Sequence, residues 1–200
     1  MPLRLGLFGD SLAVGVGAAR AEDTPGPSLV AALARAGVEA VHRVHAVSGA
    51  RSAALPGQVA AAGDWPQVAV VVVGANDLTH LVPVARAAGD LGTAVAALRA
   101  VGAEVVLVPV PDLSAVAHVP PALRDLVRAA VTTLRAAQVA AAAPLGARVV
   151  DTSAVSARSA ADAALFSADR FHPSSAGYRA LVDVVAPVVL DAARAVLDAA

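Results

Sequence analysis

The 200-residue sequence contains no cysteine. Thiol catalysis, disulfides and Cys-ligated zinc are therefore excluded. Lysine is also absent, and all fifteen basic residues are arginine. A phosphate loop of the Gly-Lys-Ser/Thr kind cannot form without it. Aromatic residues are scarce, with three Phe, one Trp and one Tyr, so a stacking platform for sugar rings is not expected. The net charge of −1 supplies no basic field for nucleic acid and no acidic tail. Long apolar runs are missing as well. "AAQVAAAAPLGA" is interrupted by Pro144 and reads as a helix end, so no stable membrane insertion is predicted. The opening "MPLRLGLFGD" has one arginine, a short apolar run and no small-residue cleavage site. It does not read as a secretory signal, and a cytoplasmic protein is expected.

What the chain has in quantity is alanine and valine, within a hydrophobic content of 58%. Its length suits one domain, residues 1–200, with a substantial core. Five short apolar runs punctuate it: Leu3–Gly9, Glu39–Val47, Val68–Gly74, Glu104–Val110 and Ala147–Asp151. Valine-rich runs of this length predict buried strands. The stretches between them are long enough for crossover helices, near Pro27–Ala36, Leu55–Gly63, Val84–Val101 and Pro121–Ala143. A last helix is expected near Ser174–Ala199. This alternation predicts an α/β fold with a parallel sheet covered on both faces. The first, third and fourth runs are apolar almost throughout, as central strands should be. The second carries His42, Arg43 and His45, and the fifth is short, so both suit edges. The strand order 2-1-3-4-5 satisfies these constraints. Thr152–Asp169 is expected to be a long loop with a helical turn.

Two signals compete in "LGLFGDSLAVGVGAAR", Leu5–Arg20. "GVGAAR" approaches the Gly-x-Gly-x-x-Gly turn that cradles a dinucleotide, but Arg20 stands in the third glycine position. The glycines also begin several residues beyond the strand. The second strand ends "HAV", without the acidic residue that would hold a ribose. No cofactor is predicted.

The other signal is Ser11. Ligands of open parallel sheets bind beyond the carboxyl ends of the strands. The segments there are "GDSL" (Gly9–Leu12), "SGARS" (Ser48–Ser52), "GANDLTH" (Gly74–His80) and, after a detour, "DRFHPSSAGY" (Asp169–Tyr178). A serine hydroxyl is a poor nucleophile until a base takes its proton. His172 can be that base. Asp169, three residues upstream, can accept the Nδ1 proton and fix the tautomer. The Ser11 amide, the Gly49 amide and the Asn76 side-chain amide can donate to an oxyanion, each contributing about 3–4 kcal/mol. Taken singly, these blocks are a helix cap, turns and a helix start. Their collection at one edge of one sheet is what points to chemistry.

The four blocks "GDSL", "SGARS", "GAND" and "DRFH", spread over almost the whole chain, resemble the SGNH (GDSL-type) hydrolase family. The resemblance implies Ser11 as nucleophile, Gly49 and Asn76 as oxyanion donors, His172 as base and Asp169 as its partner. It also implies a flavodoxin-like, three-layer α/β/α fold and esterase or lipase activity. The Gly-x-Ser-x-Gly elbow of the α/β-hydrolases does not occur.

Around these positions, Leu12, Val14, Leu78, Leu81 and the loop Pro111–Pro121 make an apolar rim. His80 and His118 lie on it and could touch substrate. His42 and His45 are expected to be packing or edge residues. Asp10 and Asp77 are expected to brace the site through backbone hydrogen bonds. Five scattered histidines without cysteine predict no metal site. Small or lipid-like carboxylic esters or thioesters are the expected substrates. Carbohydrate O-deacetylation and a non-catalytic binding module on the same fold are the alternatives. The sequence sets no oligomeric state.

Overall fold

A computed structural model describes residues 1–199. Five parallel strands form one sheet in the order β2-β1-β3-β4-β5: β1 (Leu3–Gly9), β2 (Ala40–Val44), β3 (Val68–Val72), β4 (Glu104–Val108) and β5 (Arg148–Val149). The register runs Leu5↔Val68 to Gly9↔Val72 between β1 and β3, and Val68↔Glu104 to Val72↔Val108 between β3 and β4. Eight helices accompany them among the described residues: α1 (Ser11–Val14), α2 (Pro25–Arg35), α3 (Leu55–Ala62), α4 (Ala75–Thr79), α5 (Val84–Ala100), α6 (Arg124–Ala142), α7 (Ser153–Ala161) and α8 (Ser175–Asp198).

The near-continuous apolar runs follow from burial on both faces. Successive strand residues point to opposite sides. Leu3, Leu5 and Leu7 of β1, with Val68 and Val70 of β3, meet Leu29 and Leu33 of α2 and Val185 and Val189 of α8. Ala69 and Val71 of β3, with Val105 and Leu107 of β4, meet Leu55 and Val59 of α3 and Leu91, Val95 and Leu98 of α5. The result is the expected three-layer arrangement.

The expected order of strands holds, and so does its reason. Strand β2 is only partly covered and β5 is two residues long. On β2, Arg43 lies over the Trp65 ring at 4.4 Å, a cation–π contact that suits an exposed edge, and His42 packs over Gly26 of α2. The ladder ends at Val44, so His45 lies beyond the strand and stacks on Phe8 with centroids 5.1 Å apart.

One expectation of the fold fails. Thr152–Asp169 is not mainly loop: α7 occupies nine of its residues and a 3-10 turn follows at Ala163–Leu165. Helix α7 buries none of its own residues, so it lacks the apolar stripe that would announce it. The bland reading of Ser11 as a helix cap, taken singly, also gives way. Asp10 is the N-cap of α1, its side chain accepting from the Leu12 amide, and Ser11 is the first helical residue. Likewise "GAND" is the first turn of α4, with Gly74 as its N-cap. Four- and five-residue helices are too short to show a period. Among the described residues no helix is long and apolar enough to cross a membrane.

Candidate active site

Three loops at the carboxyl edge of the sheet converge with the segment before α8. Strand β1 ends at Gly9, and Asp10 and Ser11 turn directly into α1. Ser11 is 6% exposed, so its hydroxyl faces a confined space. Before α8, Phe166 and Pro173 form an isolated antiparallel bridge that closes the loop 167–172. Within that loop Arg170 takes φ +55°, a left-handed turn that lets Asp169 reach back to the amides ahead of it.

Asp169 is thereby saturated with donors. Its Oδ1 accepts from the Ser167 hydroxyl at 2.8 Å, the Phe171 amide at 2.8 Å and the His172 amide at 2.9 Å. Its Oδ2 pairs with His172 Nδ1 at 2.7 Å. Burial alone would raise its pKa, but these hydrogen bonds outweigh it and hold the carboxyl well below the usual range. An ionised Asp169 assigns the proton to Nδ1, leaving Nε2 as the acceptor. His172 Nε2 lies 2.9 Å from Ser11 Oγ, across 161 positions of sequence. Ser11, His172 and Asp169 therefore form one continuous hydrogen-bonded chain.

Two further loops are locked together beside it. Asp77, on α4, accepts from both the amide and the hydroxyl of Ser52 at 2.9–3.1 Å, and Asn76 Nδ2 donates to the Ala50 carbonyl at 3.0 Å. These bonds fix the segment containing Gly49, which takes φ +81° with open space on its side-chain position. The Asp77 brace matches expectation, but it acts on a neighbouring loop rather than its own. Asp10 is fully buried. Its Oδ1 accepts from Leu12 N at 3.0 Å, while Oδ2 has no partner among the described residues. Burial raises its pKa to about 6, against the lowering effect of the Leu12 amide, and the charge of Asp77 adds to the rise.

A cleft of about 830 Å³, open to solvent, adjoins Ser11 and His172. Its wall is apolar, with Leu12, Val108, Val116, Val155, Phe166 and Leu181. Leu12 thus lines the cleft as expected. Leu78 does not, and packs instead beside Ala87, Val110, Val131 and Leu134. His80 is exposed at the end of α4, its Nδ1 2.9 Å from the Asn76 carbonyl. His118 is exposed too, and its Nε2 donates to the Asp169 carbonyl at 2.8 Å, tying the loop after β4 to the loop 167–172.

Several contributors escaped the sequence. Val155 and Phe166 lie in the stretch expected to be loop. Tyr178 on α8 is fully buried and donates to the Val16 carbonyl at 2.8 Å. Gln58 and Gln138 are buried. Each lies on its helix's apolar face: Gln58 with Leu55, Val59 and Ala62, Gln138 with Val131, Leu134 and Ala142. An amide at such a position is a readable signal, because a buried polar group needs partners.

Comparison with known proteins gives the family of the chain. The model of the GDSL-like lipase/acylhydrolase family matches residues 7–180. A GDSL-like esterase of Mycobacterium tuberculosis is 36% identical over 202 residues, an alignment covering 98% of this chain. The chain spans 64% of that relative's length. Among solved structures, TesA superposes with a TM-score of 0.76 at 22% identity, covering 94% of this chain and 99% of its own. An acetyl xylan esterase from Geobacillus stearothermophilus superposes at 0.67 with 20% identity, covering 91% and 92%. Identities at that level carry the fold alone. The family rests on the model match and on the mycobacterial relative: the chain belongs to the GDSL-like lipase/acylhydrolase family.

Proposed function

We propose that the protein hydrolyses carboxylic esters through an acyl-serine intermediate formed on Ser11. The observation that carries this reading is the hydrogen-bonded chain from Ser11 Oγ through His172 to Asp169. In the first step Ser11 Oγ attacks the ester carbonyl carbon and its proton passes to His172 Nε2. The imidazolium is stabilised by the ionised Asp169. The carbonyl π pair moves onto oxygen, giving a tetrahedral oxyanion that the amides of Ser11 and Gly49 and the Asn76 side chain face. Asn76 uses one N–H on Ala50, and an NH₂ group carries a second. Collapse breaks the ester C–O bond, and the departing alkoxide takes the proton from His172. Water then attacks the acyl-serine by the same proton path, releasing the acid and restoring Ser11.

The cleft beside Ser11 supports an apolar acyl group, and thus small or lipid-like esters or thioesters. Its wall carries two phenylalanines, Phe166 and Phe171, and is otherwise mainly aliphatic, which favours an acyl chain over carbohydrate O-deacetylation. Residues 1–200 act as one unit in this reading, because the proposed nucleophile and its base lie near opposite ends of the chain.

Purified protein is expected to hydrolyse short p-nitrophenyl esters and to be labelled at Ser11 by a fluorophosphonate. Ser11→Ala is expected to abolish both, and His172→Ala to lower kcat by at least about 10³-fold. Full activity of Ser11→Ala would overturn the assignment. No turnover on an ester and thioester panel, with no labelling of Ser11, would leave a binding module on this fold.

A further inference from the structure

Gln58 and Gln138 do the same thing at two places on the sheet edge. Gln58 Oε1 accepts from Gly9 N at 2.7 Å, and its Nε2 donates to Gly9 O at 2.8 Å. Gly9 is the last residue of β1. Its neighbour β2 pairs only as far as Leu7↔Val44, so the Gly9 amide would otherwise lack a ladder partner. The glutamine amide stands where a strand peptide would be.

Gln138 Nε2 donates to Val73 O at 2.8 Å, and its Oε1 accepts from Val110 N at 3.0 Å. The ladder between β3 and β4 ends at Val72↔Val108. This second amide bridges the two chains where they part. Both side chains are buried, at 7% and 0% exposure, and both use the amide as donor and acceptor together.

Their places along the chain matter. Gly9 is two residues before Ser11, and Val73 is three residues before Asn76. Backbone beyond a strand end is normally free to move; here each departure point is clamped by a group that offers a donor and an acceptor in one plane. We propose that Gln58 and Gln138 are positioning residues that fix the Gly9 and Val73 peptides, and thereby the placement of the Ser11 hydroxyl and the Asn76 amide around one reacting carbonyl. This inference rests on the hydrolase reading given above. Neither glutamine touches substrate; each acts through the peptide it holds.

The test uses Gln58→Glu, Gln138→Glu and, as an uncharged control of similar volume, Gln58→Met, each with the full chain. A protonated carboxylic acid accepts on one oxygen and donates from the other, as the amide does. Once ionised it can only accept, and its second oxygen then opposes the Gly9 or Val73 carbonyl. Both Glu variants are therefore expected to acquire an alkaline limb in kcat that the parent lacks. Asp10 titrates in parent and variant alike, so the comparison cancels it. Gln58→Met is expected to lower kcat by about 10- to 100-fold at every pH with KM changed less than about threefold, the signature of misplaced reacting groups. Thermal melts at each pH separate this loss from unfolding. Should a Glu variant unfold on ionisation, Gln58→Met keeps the inference testable. Parental kcat in Gln58→Met, or Glu variants that fold and keep the parental pH profile, would overturn the inference and leave the hydrolase reading standing. A parent inactive on every ester would overturn both.

Discussion

Tyr178 donates its hydroxyl hydrogen to the carbonyl of Val16 at 2.8 Å, across 162 positions of sequence. The bond joins α8, which follows His172, to the segment that follows Ser11. Two groups far apart in the chain are held in register by a buried contact behind them rather than by their own pairing alone. Burial raises the Tyr178 pKa, with the carboxylates of Asp10 and Asp169 adding to the shift, so the phenol stays protonated and remains a donor. Tyr178→Phe is expected to lower the unfolding free energy by about 1–3 kcal/mol, because the Val16 carbonyl loses its partner. Urea denaturation measures this, and an unchanged midpoint would show that the bond carries no stability.

Gly17 sits against the loop that carries His172. A Cβ there would lie 2.5 Å from the Pro173 carbonyl oxygen and 3.0 Å from His172 Cβ, and Gly17 also has φ +97°. Gly17→Ala is expected to push that loop away from Ser11, lowering kcat/KM by about 10- to 100-fold. Gly57, on α3 with open space around it, is the control. Gly57→Ala is expected to leave kcat/KM unchanged and to stabilise by about 0.5–1 kcal/mol. Equal activity in the two variants would show that the Gly17 contact does not reach the site.

Asp10 supplies a pH dependence with a definite sign. Its folded pKa of about 6 lies above the unfolded value of about 3.9. The native state therefore holds the proton more tightly, and ionising Asp10 costs stability. This cost is absent below about pH 4, grows between pH 4 and 6, and is complete above pH 6. Asp10→Asn removes it while keeping an acceptor for the Leu12 amide. Relative to the parent, the variant is expected to gain about 3 kcal/mol in unfolding free energy between pH 4 and pH 7. Other carboxylates, Asp169 and Glu104 among them, run the opposite way and cancel in the difference. A difference that does not vary with pH would remove Asp10 as the cause.

The acyl assignment of the cleft is tested at Val155, a partly exposed wall residue of α7. Val155→Phe is expected to lower kcat/KM for octanoyl esters at least about 10-fold relative to acetyl esters of the same alcohol. Unchanged selectivity with acyl length would place the acyl chain elsewhere.

The sheet was legible in the sequence because its physics is local. A strand covered on both faces must be apolar at consecutive positions, and β1, β3 and β4 are. An edge strand tolerates His42 and Arg43, and β2 has them. Blocks of chemically suggestive residues followed those strands, so the carboxyl edge could be named as the place where they meet. The pair of glycines near Ser11 was ambiguous in sequence. The structure shows Gly17 making room for the His172 loop.

What the sequence did not reveal depends on contacts without a period. Helix α7 has no buried stripe, and α1 and α4 are single turns. Leu78 was expected on the rim and lies in a core, because α4 turns that side inward. The partners of Gln58 and Gln138 are backbone groups tens of residues away. The sequence by itself determined the layers, the strand order and which residues could reach the edge, since these follow from hydrophobic pattern and chain connectivity. Only the tertiary structure decided that Ser11 and His172 stand 2.9 Å apart and that two buried amides pin the strand ends beneath the site. Distances of that kind are set by packing between segments that share no local rule.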